Sequence, residues 1–143
     1  MKEIKFIDDK NFAKYGYILD FTGNEKDGWE ILFKEKSSGY RIAIFEIERQ
    51  STKRLERHPD SMETFEPIFG TSLILLADKN PKNFEVFLLD KPICLKRGIW
   101  HEVITISKRS KFKIVENDEV QCEFFDLERP FGVKVDFIDI YCN

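Results

Sequence analysis

The chain predicts an all-β fold, a small barrel or sandwich with one short helix near its start. Three observations carry that expectation. Short apolar and β-branched runs recur along most of the 143 residues. Clusters of Gly, Pro, Asn and Asp break them roughly every 8–12 residues, the spacing of a sandwich or barrel. Helical punctuation occurs once, near the N-terminus.

The elements follow in order. Asp8 or Asp9 caps a turn over Lys10-Asn11-Phe12-Ala13-Lys14-Tyr15, and Gly16 ends it. Tyr17–Phe21 reads as a strand, Thr22–Gly28 as a polar turn, Trp29–Phe33 as a second strand and Lys36–Gly39 as its turn. Tyr40–Glu48 carries Ile42, Ala43, Ile44, Phe45 and Ile47, apolar on both faces, which suits a strand inside a barrel. Further strands are expected at Leu55–His58, Met62–Pro67, Ser72–Ala77, Phe84–Leu89, Glu102–Ser107, Phe112–Val115, Val120–Phe125 and Val133–Ile140. Phe65, Phe69, Phe84, Phe87, Phe124 and Phe125 are expected to pack in the core or between two copies of the chain.

Composition bounds the function classes. A chain of this length is expected to form a single domain, residues 1–143, around one core. A hydrophobic fraction of 42% with fourteen phenylalanines excludes a disordered chain, despite 34% charged residues. The net charge of −3 argues against nucleic-acid or anionic-membrane partners. No apolar run approaches the roughly 18 residues of a membrane span. Met1-Lys2-Glu3-Ile4-Lys5 lacks the order of a signal peptide, so a cytoplasmic location is expected. Cys94, Cys122 and Cys142 form no Cys-x-x-Cys pair and read as reduced packing thiols.

The chain has two histidines, and each lies in one half of a spaced pattern. The first half is His58-x4-Glu63-x6-Gly70; the second is Gly98-Ile99-Trp100-His101-Glu102. Side chains alternate along a strand, so Glu56 and His58 point the same way. Pro59 favours an extended backbone at His58. A hairpin turn at Pro59-Asp60-Ser61 brings Glu63 back alongside them, and Gly98 permits the bend that delivers His101. Glu56, His58, Glu63 and His101 then converge on one interior point. That donor set suits a divalent first-row metal, with Mn, Fe, Ni and Zn all compatible.

This spacing resembles the two motifs of the cupin superfamily, which implies a double-stranded β-helix, or jelly-roll barrel, with the ligands inside. The likeness extends further. Glu56-Arg57-His58-Pro59, then Phe65-x-Pro67, then Gly98-Ile99-Trp100-His101 is similar to the ureidoglycolate lyase family, as are Phe12-Ala13-x-Tyr15-Gly16 and Phe112-Lys113-Ile114-Val115. The resemblance covers roughly Phe12 to Phe125. It implies a cytosolic enzyme, often a homodimer, that splits ureidoglycolate into glyoxylate and urea. The chain departs from the family pattern at Glu63, where glutamine is usual, at Glu102, where a second histidine is usual, and at Glu116, where an arginine is usual. These carboxylates favour a bound metal and disfavour an anionic substrate.

The expected roles follow. Glu63 is the candidate base, and His101 is the second candidate catalytic group. Arg41 and Lys96 are candidates for positive charge at the mouth. Trp100 is a candidate substrate contact, though packing beside the site is the first expectation for it. Glu102 follows His101 on a strand and should point to the opposite face. The expected ligand is a small molecule, and the alternative reading is a non-catalytic cupin that binds one.

Overall fold

A computed structural model describes residues 2–135 of the protein. Most of the strand expected at Val133–Ile140 lies outside them, and residues 133–135 are not strand. Helix α1 (Asp9–Phe12) is capped by Asp8, whose carboxylate accepts from the N–H groups of Lys10 and Asn11 at 2.9 and 2.7 Å. Asn11 Oδ1 accepts in return from the Asp8 N–H, closing a capping box. The helix ends at Ala13, before Gly16. Gly16 instead opens a strand at a very close backbone approach: a Cβ there would lie 2.0 Å from the Cys94 carbonyl oxygen.

Eleven strands build two sheets among the described residues. They are β1 (Ile4–Phe6), β2 (Gly16–Ile18), β3 (Tyr40–Ile47), β4 (Ser51–Arg57), β5 (Glu63–Phe69), β6 (Ser72–Ala77), β7 (Glu85–Leu89), β8 (Ile93–Leu95), β9 (Trp100–Thr105), β10 (Ser110–Asn117) and β11 (Glu123–Gly132). One sheet runs β1-β7-β6-β9-β4-β11 and the other β2-β8-β5-β10-β3. The β1–β7 pair is parallel and the other pairs are antiparallel. Two facing sheets with one short helix give the all-β barrel that the sequence predicts. No described helix is long and apolar enough to cross a membrane.

Alternation along the strands makes two cores where the sequence suggested one. The first includes Phe65, Ile74, Leu76, Phe87, Ile93, Leu95, Val103, Phe112 and Ile114, closed at one end by Phe12 and Tyr15 near α1. The second lies on the other face of the six-stranded sheet, where Leu55, Leu73, Leu75, Trp100 and Ile104 pack under Phe125, Leu127, Phe131 and Val133. Strand β6 serves both and is buried throughout.

Three expectations need correction. Trp29–Phe33 forms no strand; a single bridge joins Lys26 to Trp29 across a turn at Asp27-Gly28, and Phe33 stacks on Tyr17 at 4.3 Å. Strand β3 is not interior: it edges the five-stranded sheet and leaves Tyr40, Ile42 and Ile44 71%, 62% and 61% exposed. Its apolar residues fill both faces, but only one face meets the core. Phe69 and Phe124 are not in the core, which leaves only the packing between copies expected for them: both are exposed, each with an arginine over its ring, Arg109 at 5.2 Å and Arg54 at 4.2 Å. Strands β1 and β8 carry three residues each, too short for a periodic signal.

Candidate metal centre

The two motif halves meet through the backbone before they meet through side chains. Gly98, at φ 74°, makes the bend that precedes β9. Its N–H donates to the His58 carbonyl at 2.9 Å, which fixes the β9 approach against the end of β4. Glu56 and His101 stand opposite each other in the β4–β9 pairing. The Pro59-Asp60 turn returns the chain into β5, whose first residue is Glu63.

His58, Glu63 and His101 are all buried and converge on one point. Glu63 Oε2 lies 3.1 Å from His58 Nε2 and 2.8 Å from His101 Nε2, with Glu56 Oε1 3.7 Å from His101 Nε2 at a more open position. The ring centroids are 5.2 Å apart, and Phe65 places an edge on His101 at 5.6 Å. Each imidazole is oriented from behind. His58 Nδ1 meets the Gln121 carbonyl at 3.0 Å, and His101 Nδ1 meets the Ile99 carbonyl at 2.9 Å. An Nδ1–H held by a carbonyl turns the Nε2 lone pair inward, as outer partners do for metal-bound histidines.

The electrostatics are those of a closed ion cluster. Burial disfavours charge on His58, but the Glu63 carboxylate outweighs it and holds the ring at about 10. Burial likewise works against charge on Glu63, and the two imidazoles overcome it to bring Glu63 down to about 2. His101 moves upward for the same reason as His58: burial opposes its charge and Glu63 prevails.

The donor set fits a divalent metal. Glu63 Oε2 and His101 Nε2 are buried and, though close, make no hydrogen bond of acceptable geometry with each other or with any other described residue. One donor atom each from His58, Glu63 and His101 falls within 4.8 Å of the others. Two imidazoles and a carboxylate with buried donor atoms free to ligate are a set that a divalent first-row metal takes. A second such group joins Glu56, His58 and Cys122, whose thiol is 3.5 Å from His58 Nδ1. Cys122 had no signal in the sequence, because only the β4–β11 pairing carries it to His58.

The remaining candidates separate. Arg41 lies on β3 opposite Glu116, which pairs in turn with Glu63, and donates from Nη2 to Glu116 Oε1 at 2.7 Å. That contact raises the Arg41 pKa further. Lys96 turns away to the N-terminal segment, where its ammonium donates to the Ala13 carbonyl at 2.9 Å. Trp100 faces the second core, with Phe125 against it and the Arg57 guanidinium 4.7 Å over its ring. Glu102 is on that face too, nearly buried and ion-paired with Arg49. Burial pushes its pKa up and Arg49 opposes the shift. It points away from the metal centre, as alternation along the strand predicts.

The described structure is similar to several solved ones. It matches Peruvianin-I, a cysteine peptidase from Thevetia peruviana latex, at 16% identity and TM-score 0.53, over 62% of this chain and 57% of that one. It also matches tomato (Solanum lycopersicum) vicilin at 21% identity and TM-score 0.47, over 61% and 26%. Oxalate decarboxylase of Bacillus subtilis, studied for its Mn(II) centres, matches at 14% and TM-score 0.43, over 66% and 24%. The chain thus spans just over half of the first of these proteins and about a quarter of the others. No curated protein sequence matches it significantly. The ureidoglycolate lyase family pattern matches residues 22–134, and the chain belongs to the ureidoglycolate lyase family.

Proposed function

We propose that the protein is a carbon–nitrogen lyase of the ureidoglycolate lyase type, splitting a small ureido hydroxy acid such as ureidoglycolate into glyoxylate and urea. The observation that carries this reading is the convergence of His58, Glu63 and His101 in a barrel of that family, with both imidazoles held from behind by carbonyls. His58 and His101 would hold a divalent metal through Nε2, with Glu63 and Glu56 supplying carboxylate oxygen. When bound, it would polarise the substrate's hydroxyl and carboxylate oxygens.

The chain's own groups account for the rest. Breaking the carbon–nitrogen bond requires a base for the hydroxyl proton, and Glu63 is the buried carboxylate at the centre. At about 2 it is a weak base while both imidazoles are charged. Loss of the imidazole protons would remove that pull, and a cation held in their place would restore it. Arg41, half exposed and ion-paired with Glu116, would meet a substrate carboxylate arriving from solvent. Burial of His58, Glu63 and His101 keeps water from most of the centre.

Two further proposals accompany this one. A homodimer is supported by the edge of β3, unpaired among the described residues, and by the exposed Tyr40, Ile42 and Ile44 on its outer face. A cytoplasmic location is supported by free thiols at Cys94 and Cys122.

The test is metal content by mass spectrometry on untagged wild type and on His58→Ala/His101→Ala, followed by glyoxylate release from ureidoglycolate. Near-stoichiometric metal and turnover in wild type, both lost in the double variant, are expected. Wild type that neither carries nor takes up metal would remove the metal from the reading. Metal-loaded protein that splits neither ureidoglycolate nor an analogue with another leaving nitrogen would favour the non-catalytic ligand-binding barrel.

A further inference from the structure

Cross-strand pairing sets three charged side chains in one row on the inner face of the five-stranded sheet. Arg41 on β3 stands opposite Glu116 on β10, and Glu116 stands opposite Glu63 on β5. Directly paired residues share a face, with Cβ atoms roughly 5 Å apart. Side-chain exposure falls from 48% at Arg41 to 9% at Glu116, 10% at Glu63 and 3% at His101. The row therefore leads from solvent to the candidate metal centre.

Within it the pairing of Glu116 is lopsided. Arg41 donates through both Nε and Nη2, at 3.0 and 2.7 Å, to the same oxygen, Glu116 Oε1. Glu116 Oε2 is buried and accepts no hydrogen bond from the described residues. A buried carboxylate oxygen without a donor is costly, and its cost is relieved by a ligand that brings one.

We propose that Glu116 Oε2 and Arg41 form a specificity subsite for a 2-hydroxy acid whose leaving nitrogen belongs to a cationic amidine or guanidine, with Arg41 meeting the acid's carboxylate. This rests on the lyase reading above and names its substrate class. A neutral ureido group turns a carbonyl oxygen, as well as N–H groups, toward its surroundings. A guanidinium presents only donors, which suits the Glu116 oxygen that Arg41 leaves without one. The reaction keeps the same balance. The hydroxyl loses its proton and its carbon–oxygen bond becomes a carbonyl. The carbon–nitrogen pair departs with nitrogen, which takes up a proton. The products are a 2-oxo acid and the amidinium or guanidinium ion, with no oxidation or reduction.

The experiment uses adducts made by mixing glyoxylate with guanidine or with urea, and follows glyoxylate release by metal-loaded wild type and Glu116→Gln. Wild type should split the guanidino adduct with kcat/KM about tenfold or more above the ureido adduct. In Glu116→Gln the preference should vanish or reverse, with metal content and melting temperature kept. A wild type that prefers the ureido adduct, or a variant that loses both activities equally, overturns the proposal. If wild type splits neither adduct, the lyase reading fails, and the subsite is decided by NMR titration with guanidinium chloride and with urea. Saturable guanidinium binding that is lost in Glu116→Gln then sustains it; equal behaviour of the two proteins ends it.

Discussion

His58, Glu63 and His101 behave as one titrating unit, and its pH dependence has two opposite signs. In metal-free protein His58 is raised from 6.5 to about 10, so its stabilising contribution is full below about 6.5 and fades as pH rises toward 10. Glu63 is lowered from 4.5 to about 2, so its contribution is present above about 4.5 and is lost as pH falls toward 2. Urea denaturation of chelator-treated protein should show this cluster's contribution greatest between about pH 4.5 and 6.5. Metal uptake should run the other way on the alkaline side, because the imidazole protons must leave before nitrogen can ligate. Between pH 6 and 8 the apparent affinity is expected to rise about tenfold per unit for each proton displaced. Competition with a chelator of known affinity measures it, and a flat profile would show that the imidazoles are not the ligands.

At the scale of the element, alternation along β9 decides which neighbours of His101 take part in chemistry. His101 faces the first core, while Trp100 and Glu102 face the second side of the sheet. The alternation of Glu102 was legible from the strand pattern; its partner Arg49 was not, because the pairing spans 53 residues. Arg49→Ala should cost about 1–2 kcal/mol in thermal or urea unfolding, discounted because Arg49 is partly solvated, and should leave metal content unchanged. At β2 the limit is steric. Gly16→Ala would drive a methyl into the Cys94 carbonyl, and a loss of about 2–3 kcal/mol is expected from denaturant unfolding. The sequence marked Gly16 as punctuation and assigned it the wrong reason, since a close approach to β8 leaves no trace in local pattern. Gly98 was legible, because a bend before a histidine-bearing strand needs a residue free to take positive φ.

The architecture of the whole molecule was readable where periodicity is strong. Ser72–Ala77 forms β6 with the boundaries expected, and the convergence of His58, Glu63 and His101 was legible from alternation, the turn after Pro59 and the bend at Gly98. What local reading could not give was which strands lie at the edge. Tyr40–Ile47 has enough isoleucine to look interior, yet sheet order places it outermost. The same blindness hid Cys122 and the Arg41–Glu116 row, both products of pairing between distant strands. If β3 joins two copies, Ile42→Lys/Ile44→Lys should shift the protein to monomer in light scattering without changing its fold by circular dichroism. A wild type that is already monomeric at high concentration would remove the dimer.

The hydrogen bond from the Gly98 N–H to the His58 carbonyl joins the two hairpins that carry the histidines. Separating them breaks that bond and dismantles the ligand set in one event. The Gly98 amide is therefore a clock for the site: its deuterium uptake should slow when a cation ties the hairpins together, and should slow more than that of amides at the far end of β6.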